Sequence, residues 1–200
     1  MQTLRYTLAL LLLTFVKVAS FAQDGPKLQY SIGAGASIDG NNLLWGLNFT
    51  NELNYKLGRR TSLNTGLTFY QSIGNLEGTE VFPGQKSKEQ SSGIFITPML
   101  KYDIIQRPSG FKLAFAMGPS LQLGGESFLF NPSFSNSEPS TTYAVNKYQR
   151  IGIMTELEAE WKTKNPNIRN AASISAYGTD LYFPWYINAT YKIRFGIGKN

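Results

Sequence analysis

The sequence predicts an all-β chain, an eight-stranded antiparallel up-and-down transmembrane β-barrel, and three observations carry that expectation. Apolar and polar residues alternate strictly over segments of roughly ten residues or more, about twice the strand length usual in soluble domains. The connections are short and basic at one end of these segments and, in places, long and polar at the other. Aromatic residues gather near both ends of the apolar faces.

The first residues read as a leader. In Met1 to Ala22, Arg5 precedes the apolar run Leu8 to Val16, and Ser20 and Ala22 stand just before Gln23, the pattern of a secretory signal peptide cut after Ala22. The run is well short of the roughly 20 apolar residues a spanning helix needs. The expected organisation is a signal peptide at 1–22 and one barrel domain at 23–200. Arg5 and Lys17 leave with the leader, so 19 basic residues become 17 against 13 acidic ones, a net of +4. That excess is small and no run of five basic residues occurs, which argues against nucleic acid as a partner. The chain has no cysteine and no histidine, so disulfides, a cysteine-borne lipid anchor and the usual zinc and copper ligands are all missing.

Eight candidate strands follow in order. In the first, Leu28, Tyr30, Ile32, Ala34 and Ala36 alternate with Gln29, Ser31, Gly33, Gly35 and Ser37. In the second, Leu43 to Leu57, the odd positions are mainly apolar and the even ones after Leu44 are Gly46, Asn48, Thr50, Glu52, Asn54 and Lys56. The third opposes Leu63, Leu67 and Phe69 to Asn64, Gly66, Thr68 and Tyr70. The fourth opposes Ile94, Ile96, Leu100, Tyr102 and Ile104 to Thr97, Lys101 and Asp103. The fifth sets Phe111, Leu113, Phe115, Met117 and Leu121 against Lys112, Ala114, Ala116, Gly118, Ser120 and Gln122. In the sixth, Ile151, Ile153, Leu157, Ala159 and Trp161 oppose Arg150, Gly152, Glu156, Glu158 and Glu160. Its Glu, Leu and Ala are good helix formers, but glutamates two apart share a face only in a strand. The seventh is weaker, with Ala172, Ile174 and Ala176 against Ser173, Ser175 and Tyr177. The eighth opposes Ile187, Ala189, Tyr191, Ile193, Phe195 and Ile197 to Asn188, Thr190, Lys192, Arg194 and Gly196.

Strands of this length suit a tilted crossing of a bilayer. An open sheet edge in hydrocarbon leaves backbone groups unpaired, so such a sheet must close on itself. The connections after the second, fourth and sixth strands, at Gly58, Gln106 and Lys164, are short and basic, whereas those at about 72–92 and 124–147 are long and polar. Short turns facing the periplasm and longer loops facing the exterior are the asymmetry of outer-membrane barrels. The two other upper loops, Asp39 to Asn42 and Asp180 to Trp185, are short. Tyr30, Tyr55, Tyr102, Phe111, Trp161 and Phe195 are expected at the periplasmic girdle, and Trp45, Phe69 and Trp185 at the outer one. The apolar faces then touch lipid and the polar faces line a narrow lumen.

The inward charges form the candidate site. Glu156, Glu158 and Glu160, with Lys112 on the neighbouring strand, Lys192 and Arg194 across the lumen, and Glu52 and Lys56 beside them, are expected to form a buried structural charge network. A paired-carboxylate enzyme site is the sharper reading of the same residues, and an eight-stranded lumen that side chains fill argues against it and against a free pore. The glycines of Ser31 to Gly40 follow no buried strand and open no helix, so they are not a nucleotide loop. No catalytic residue, cofactor or metal is expected. Phe128, Phe130, Phe134 and Tyr143, set among Ser, Asn and Pro, are candidate contact residues for a partner, or else pack over the barrel mouth.

The residues Ser20 to Gln23, the Gly- and Tyr-rich strands and the final run Tyr186 to Gly198 resemble the outer membrane β-barrel domain family, also known as porin family or PorT-like barrels. Members of that family commonly end on an aromatic residue, whereas this sequence continues Gly198, Lys199, Asn200 after Ile197. The resemblance implies an integral outer-membrane protein without enzymatic activity, and one branch of the family is linked to protein secretion. The function expected is a structural or interaction role in the cell outer membrane, with lipid around the barrel and a protein partner met through the loops at 72–92 and 124–147. A soluble secreted or periplasmic lipocalin-like barrel binding a small apolar ligand is the first alternative, a component of a secretion system the second. A lipid-modifying barrel enzyme using Glu156 or Glu158 is a further one.

Overall fold

Ten strands run β1 (Leu28–Asp39), β2 (Leu44–Lys56), β3 (Thr61–Asn75), β4 (Glu80–Phe82), β5 (Gln85–Lys86), β6 (Gln90–Gln106), β7 (Lys112–Ser135), β8 (Glu138–Lys162), β9 (Ile168–Thr179) and β10 (Tyr182–Ile197) in a computed structural model. It describes residues 27–41, 43–75, 80–82, 85–86, 88–135, 138–179 and 182–197, with backbone alone at 80–82, 85–86, 130–135, 138–141 and 182. The expected leader at 1–22 lies outside the described residues. Eight of the strands close into one antiparallel barrel, in which β3 pairs with β6 and β10 returns to β1, while β4 and β5 form a small hairpin between β3 and β6.

The register fixes the shape. Leu28 pairs with Tyr55, then Leu63, Leu100, Met117, Thr155, Ala176 and Ile187 follow in turn, and Ile187 pairs with Ile38. The row returns to β1 ten residues above its start, a shear of ten. With about 3.3 Å of rise per residue and about 4.7 Å between strands, that shear tilts the strands by about 41° and gives about 2.5 Å of height per residue. Trp45 and Tyr55 bound the apolar face of β2 and are therefore about 25 Å apart in height, as are Ile94 and Ile104 on β6.

Alternation produces this arrangement strand by strand. On β2, Phe49 is 51% exposed while Asn48, beside it, is fully buried. The same division holds for Leu67 against Asn64, Phe115 against Ala116, Leu157 against Glu158, and Tyr191 against Lys192. Asn51 breaks the apolar outward face of β2, but it accepts a hydrogen bond from the Tyr30 hydroxyl at 2.7 Å, which removes part of the cost of an amide in an apolar setting. Inside, a cluster of Tyr70, Phe95, Met99, Met154, Tyr177 and Tyr186 fills the upper lumen, with edge-to-face ring pairs such as Phe95 and Tyr186 at 5.3 Å.

Three expectations need correction. The stretch 124–147 is not a loop: β7 and β8 stay paired from Gly124 with Tyr148 to Ser135 with Glu138, so it is a β-ribbon rising from the barrel. Its amphipathic signal is weak because both faces of a ribbon in water can be polar. The stretch 72–92 is likewise shortened, since β3 runs to Asn75 and β6 begins at Gln90. Trp185 does not join the outward girdle; the register slips between Tyr182 and Tyr186, and the indole packs on the inner cluster with the Arg150 guanidinium 4.2 Å from its ring.

Strand approach is closest where side chains are absent. A Cβ on Gly35 of β1 would lie 1.9 Å from the Ala189 carbonyl oxygen of β10, so even alanine forces the strands apart. We expect Gly35→Ala to destabilise the barrel by about 1–3 kcal/mol, read as a lower urea midpoint. An unchanged midpoint contradicts the packing described.

Candidate functional site

The lumen is layered. Its charged middle is built by inward-facing residues on four strands: Glu52 on β2, Lys101 on β6, Glu156, Glu158 and Glu160 on β8, and Lys192 and Arg194 on β10, all at most 5% exposed. Small neighbours leave them room, because Glu158 pairs with Ala114 on β7 and Ser173 on β9, and Glu160 with Ala171. Large charged side chains from one strand thus reach across a lumen in which the flanking strands take up little space.

Lys192 is the hub. Its Nζ meets Glu52 and Glu156 directly and lies 3.3 Å from Glu158. Arg194 binds Glu160 and reaches both Glu158 oxygens, Oε1 at 2.9 Å and Oε2 at 3.0 Å, while Lys101 closes on Glu158 Oε1. Arg169 pairs with Glu160 from β9. The remaining acceptor capacity of Glu52 takes hydrogen bonds from Asn64 Nδ2 and Ser31 Oγ, each at 3.3 Å. Four carboxylates therefore face four cations. A lone buried charge costs several kcal/mol, and only such paired geometry offsets it.

Six of the expected network residues are brought together: Glu52, Glu156, Glu158, Glu160, Lys192 and Arg194. Lys112 does not join the glutamates; it pairs with Asp103 at 3.1 Å, nearer the short-turn end. Lys56 makes no ion pair among the described residues and lines a cavity at that same end. Two members were missed. Lys101 faces inward on β6, where the alternation gives its face but not its partner, and Arg169 falls in the stretch after Lys164 that the sequence reads as a connection, although β9 already begins at Ile168.

Above the charges, Thr97 and Ser120 hydroxyls meet at 2.7 Å and Thr190 donates to Asn48 at 2.9 Å, around a void of about 20 Å³. The aromatic cluster seals the top, with Tyr186 in hydroxyl contact with Tyr148 at 3.1 Å and Ser91 at 3.2 Å. Below the charges lies a cavity of about 290 Å³ at the short-turn end. Between these levels the lumen is filled by nearly fully buried rings and ionised side chains. Among those residues no group of three His, Cys, Asp or Glu side chains is placed to hold a metal ion.

Of the expected contact residues, Phe128 is exposed on β7, and Tyr143 on β8 accepts a hydrogen bond from the Lys88 backbone at 2.8 Å, which ties the ribbon to the segment before β6. The side chains of Phe130 and Phe134 lie outside the described residues. The rings that do cover the mouth are Tyr148, Trp185 and the inner tyrosines. β8 pairs with β9 only from Ile153 downward, so the edge of the ribbon above it has no strand partner among the described residues. Val145 and Ile151 stand there, 72% and 75% exposed.

No protein-family model matches the chain, and no curated protein matches it. Solved structures do. Neisserial surface protein A aligns over 85% of this chain and 96% of its own, with a TM-score of 0.51 and 12% identity. The N-terminal β-barrel domain of Pseudomonas aeruginosa OprF aligns over 86% of this chain and 100% of its own, with a TM-score of 0.50 and 11% identity. This chain has the eight-stranded up-and-down fold of outer-membrane barrels. At such low identity the likeness speaks for the fold of the barrel and for nothing finer.

Proposed function

We propose that the protein is an integral outer-membrane barrel whose filled lumen makes it a rigid support, and whose β7–β8 ribbon, projecting on the outer side, contacts a partner. The observation that carries this is the apolar belt. Around the barrel the outward positions are predominantly apolar over a height of about 25 Å, interrupted by single uncharged polar residues such as Asn51, Thr65 and Asn170, and the ionised groups of the charged layer lie within. A water-soluble, ligand-binding barrel requires the reverse, with apolar residues lining the cavity and charges outside. The occluded lumen, with every glutamate of the charged layer held by lysine or arginine, supports a role without catalysis or free diffusion.

The ribbon supports the interaction role. Because the hydrogen-bonded rows climb around the barrel, Ile151 lies near the level of Ile38 and Trp45, and the ribbon continues for about 30 Å beyond it. A paired, twisted support holds the contact residues in place more firmly than a free loop does.

The test is heat-modifiable migration. The exported chain, refolded into detergent micelles, should run at a different position on a gel before boiling than after it, and should fractionate with membranes unless detergent is added. A chain that stays soluble without detergent and shows one gel position contradicts the reading.

A further inference from the structure

We infer that the short-turn end of the barrel is a blind socket for a multiply charged oxyanion, a phosphate or a polycarboxylate. The cavity of about 290 Å³ there has six basic residues in its lining and two acidic ones. Three of the cations are already neutralised, Lys101 and Arg194 by the glutamates above and Lys112 by Asp103. The other three, Lys56, Arg59 and Arg60, make no ion pair among the described residues and come from one segment, the end of β2 and the turn after it.

That turn is held in place. Leu57 and Gly58 both donate their backbone N–H to the Thr61 carbonyl at 3.0 Å, Asp103 N–H donates to the Arg60 carbonyl at 2.8 Å, and the Gln106 amide donates to the Arg59 carbonyl at 2.9 Å. The three cations therefore sit on a backbone fixed against β6. Neutral donors stand beside them: Ser62 Oγ accepts from Asn54 Nδ2 at 3.2 Å, which leaves its own proton to give. Lys56 is half-buried and Arg59 and Arg60 are exposed at the rim, and unneutralised charges of one sign around a concave surface focus their field on the space they enclose. Guanidinium forks match phosphate and carboxylate oxygens two at a time, and the lysine adds a point charge.

The socket is closed behind. The balanced charge layer lies directly above it, and the next void holds about 20 Å³, room for a water and not for an oxyanion. An anion can enter from the short-turn end and stop there; it has no route through the barrel. This makes the inner end a second contact surface, opposite the ribbon, suited to an anionic group presented from that side.

The test uses the exported chain refolded in uncharged maltoside micelles, titrated separately with inorganic phosphate and with citrate at constant ionic strength, following backbone amide shifts. Saturable binding of at least one anion, with shifts centred on Lys56 to Ser62, is the expected result. Replacing the three unpaired cations together (Lys56→Gln, Arg59→Gln, Arg60→Gln) should weaken it at least about tenfold, whereas Lys147→Gln on the ribbon should leave it unchanged. Binding of phosphate alone assigns the socket to phosphorylated ligands, binding of citrate alone to carboxylates, and binding of both to oxyanions in general. Absence of saturable binding by either, or equal binding by the triple variant with its folded gel position intact, overturns the inference. The titration does not depend on which side of a membrane the socket faces, so its failure leaves the membrane reading untouched.

Discussion

Glu158→Ala will lower the stability of the folded barrel by about 3–5 kcal/mol, because it leaves buried cations without their anion. Lys101 loses its carboxylate partner outright, Arg194 keeps Glu160 and a long contact to Glu52 at 3.8 Å, and Lys192 keeps Glu52 and Glu156. The loss should appear as a lower urea midpoint in micelles, followed by gel migration. A second variant separates charge imbalance from a void. Adding Lys101→Met to Glu158→Ala removes the orphaned ammonium and should recover part of the loss, with a coupling of about 0.5–3 kcal/mol. If the double variant is as unstable as the sum of the two single ones, the network is not coupled as described. Because the eight charges balance, wholesale replacement by apolar residues need not destabilise the barrel; the account predicts a penalty for breaking the set, not for lacking it.

Phe49→Arg will cost about 2–4 kcal/mol in a bilayer, as a charge at mid-height on the lipid face of a barrel does. Phe49 sits near the middle of the span bounded by Trp45 and Tyr55 and is 51% exposed in the isolated chain. In a soluble protein a half-exposed position on a strand tolerates arginine with little loss. Val145→Arg provides the internal comparison: it is still more exposed, 72%, but stands on the ribbon above the belt, and its effect should stay within about 0.5 kcal/mol. Unfolding both variants from lipid vesicles checks the contrast, and equal penalties at the two positions contradict the placement of the belt.

Period-two patterning made most of the barrel legible in the sequence. A lipid-facing strand must be apolar on one face, and a narrow lumen accepts polar groups on the other, so Leu28 to Ser37 or Ile187 to Ile197 announce both strand and face. Where water replaces lipid that contrast disappears. The residues from Gly124 to Lys147 read as a loop for this reason, although cross-strand pairing keeps them extended. Trp185 misled for a different reason: its parity follows only if the strand is regular, and a slip in register beside it turns the ring inward. Partners within the lumen were partly legible. The glutamate row and Lys192 and Arg194 share the inward parity, but which cation meets which anion depends on the shear, which no single strand encodes. Thus Lys101, two strand pairings away from β8 and level by register with Glu156, closes on Glu158, while Lys112, adjacent to Glu160 in the ladder, turns to Asp103.

The central claim is that the exposed apolar faces meet hydrocarbon. Since the chain has no cysteine, single cysteines at Leu47, Phe115 and Ile193 can each carry a nitroxide in the refolded, membrane-inserted protein. Relaxation by oxygen, which concentrates in lipid, and by a water-soluble nickel chelate reports the surroundings of each label. The account predicts strong relaxation by oxygen and little by nickel at all three positions. Labels shielded from both reagents, together with a label at Glu158 open to nickel, would mean that the apolar side faces the barrel's interior and that the protein is a soluble barrel.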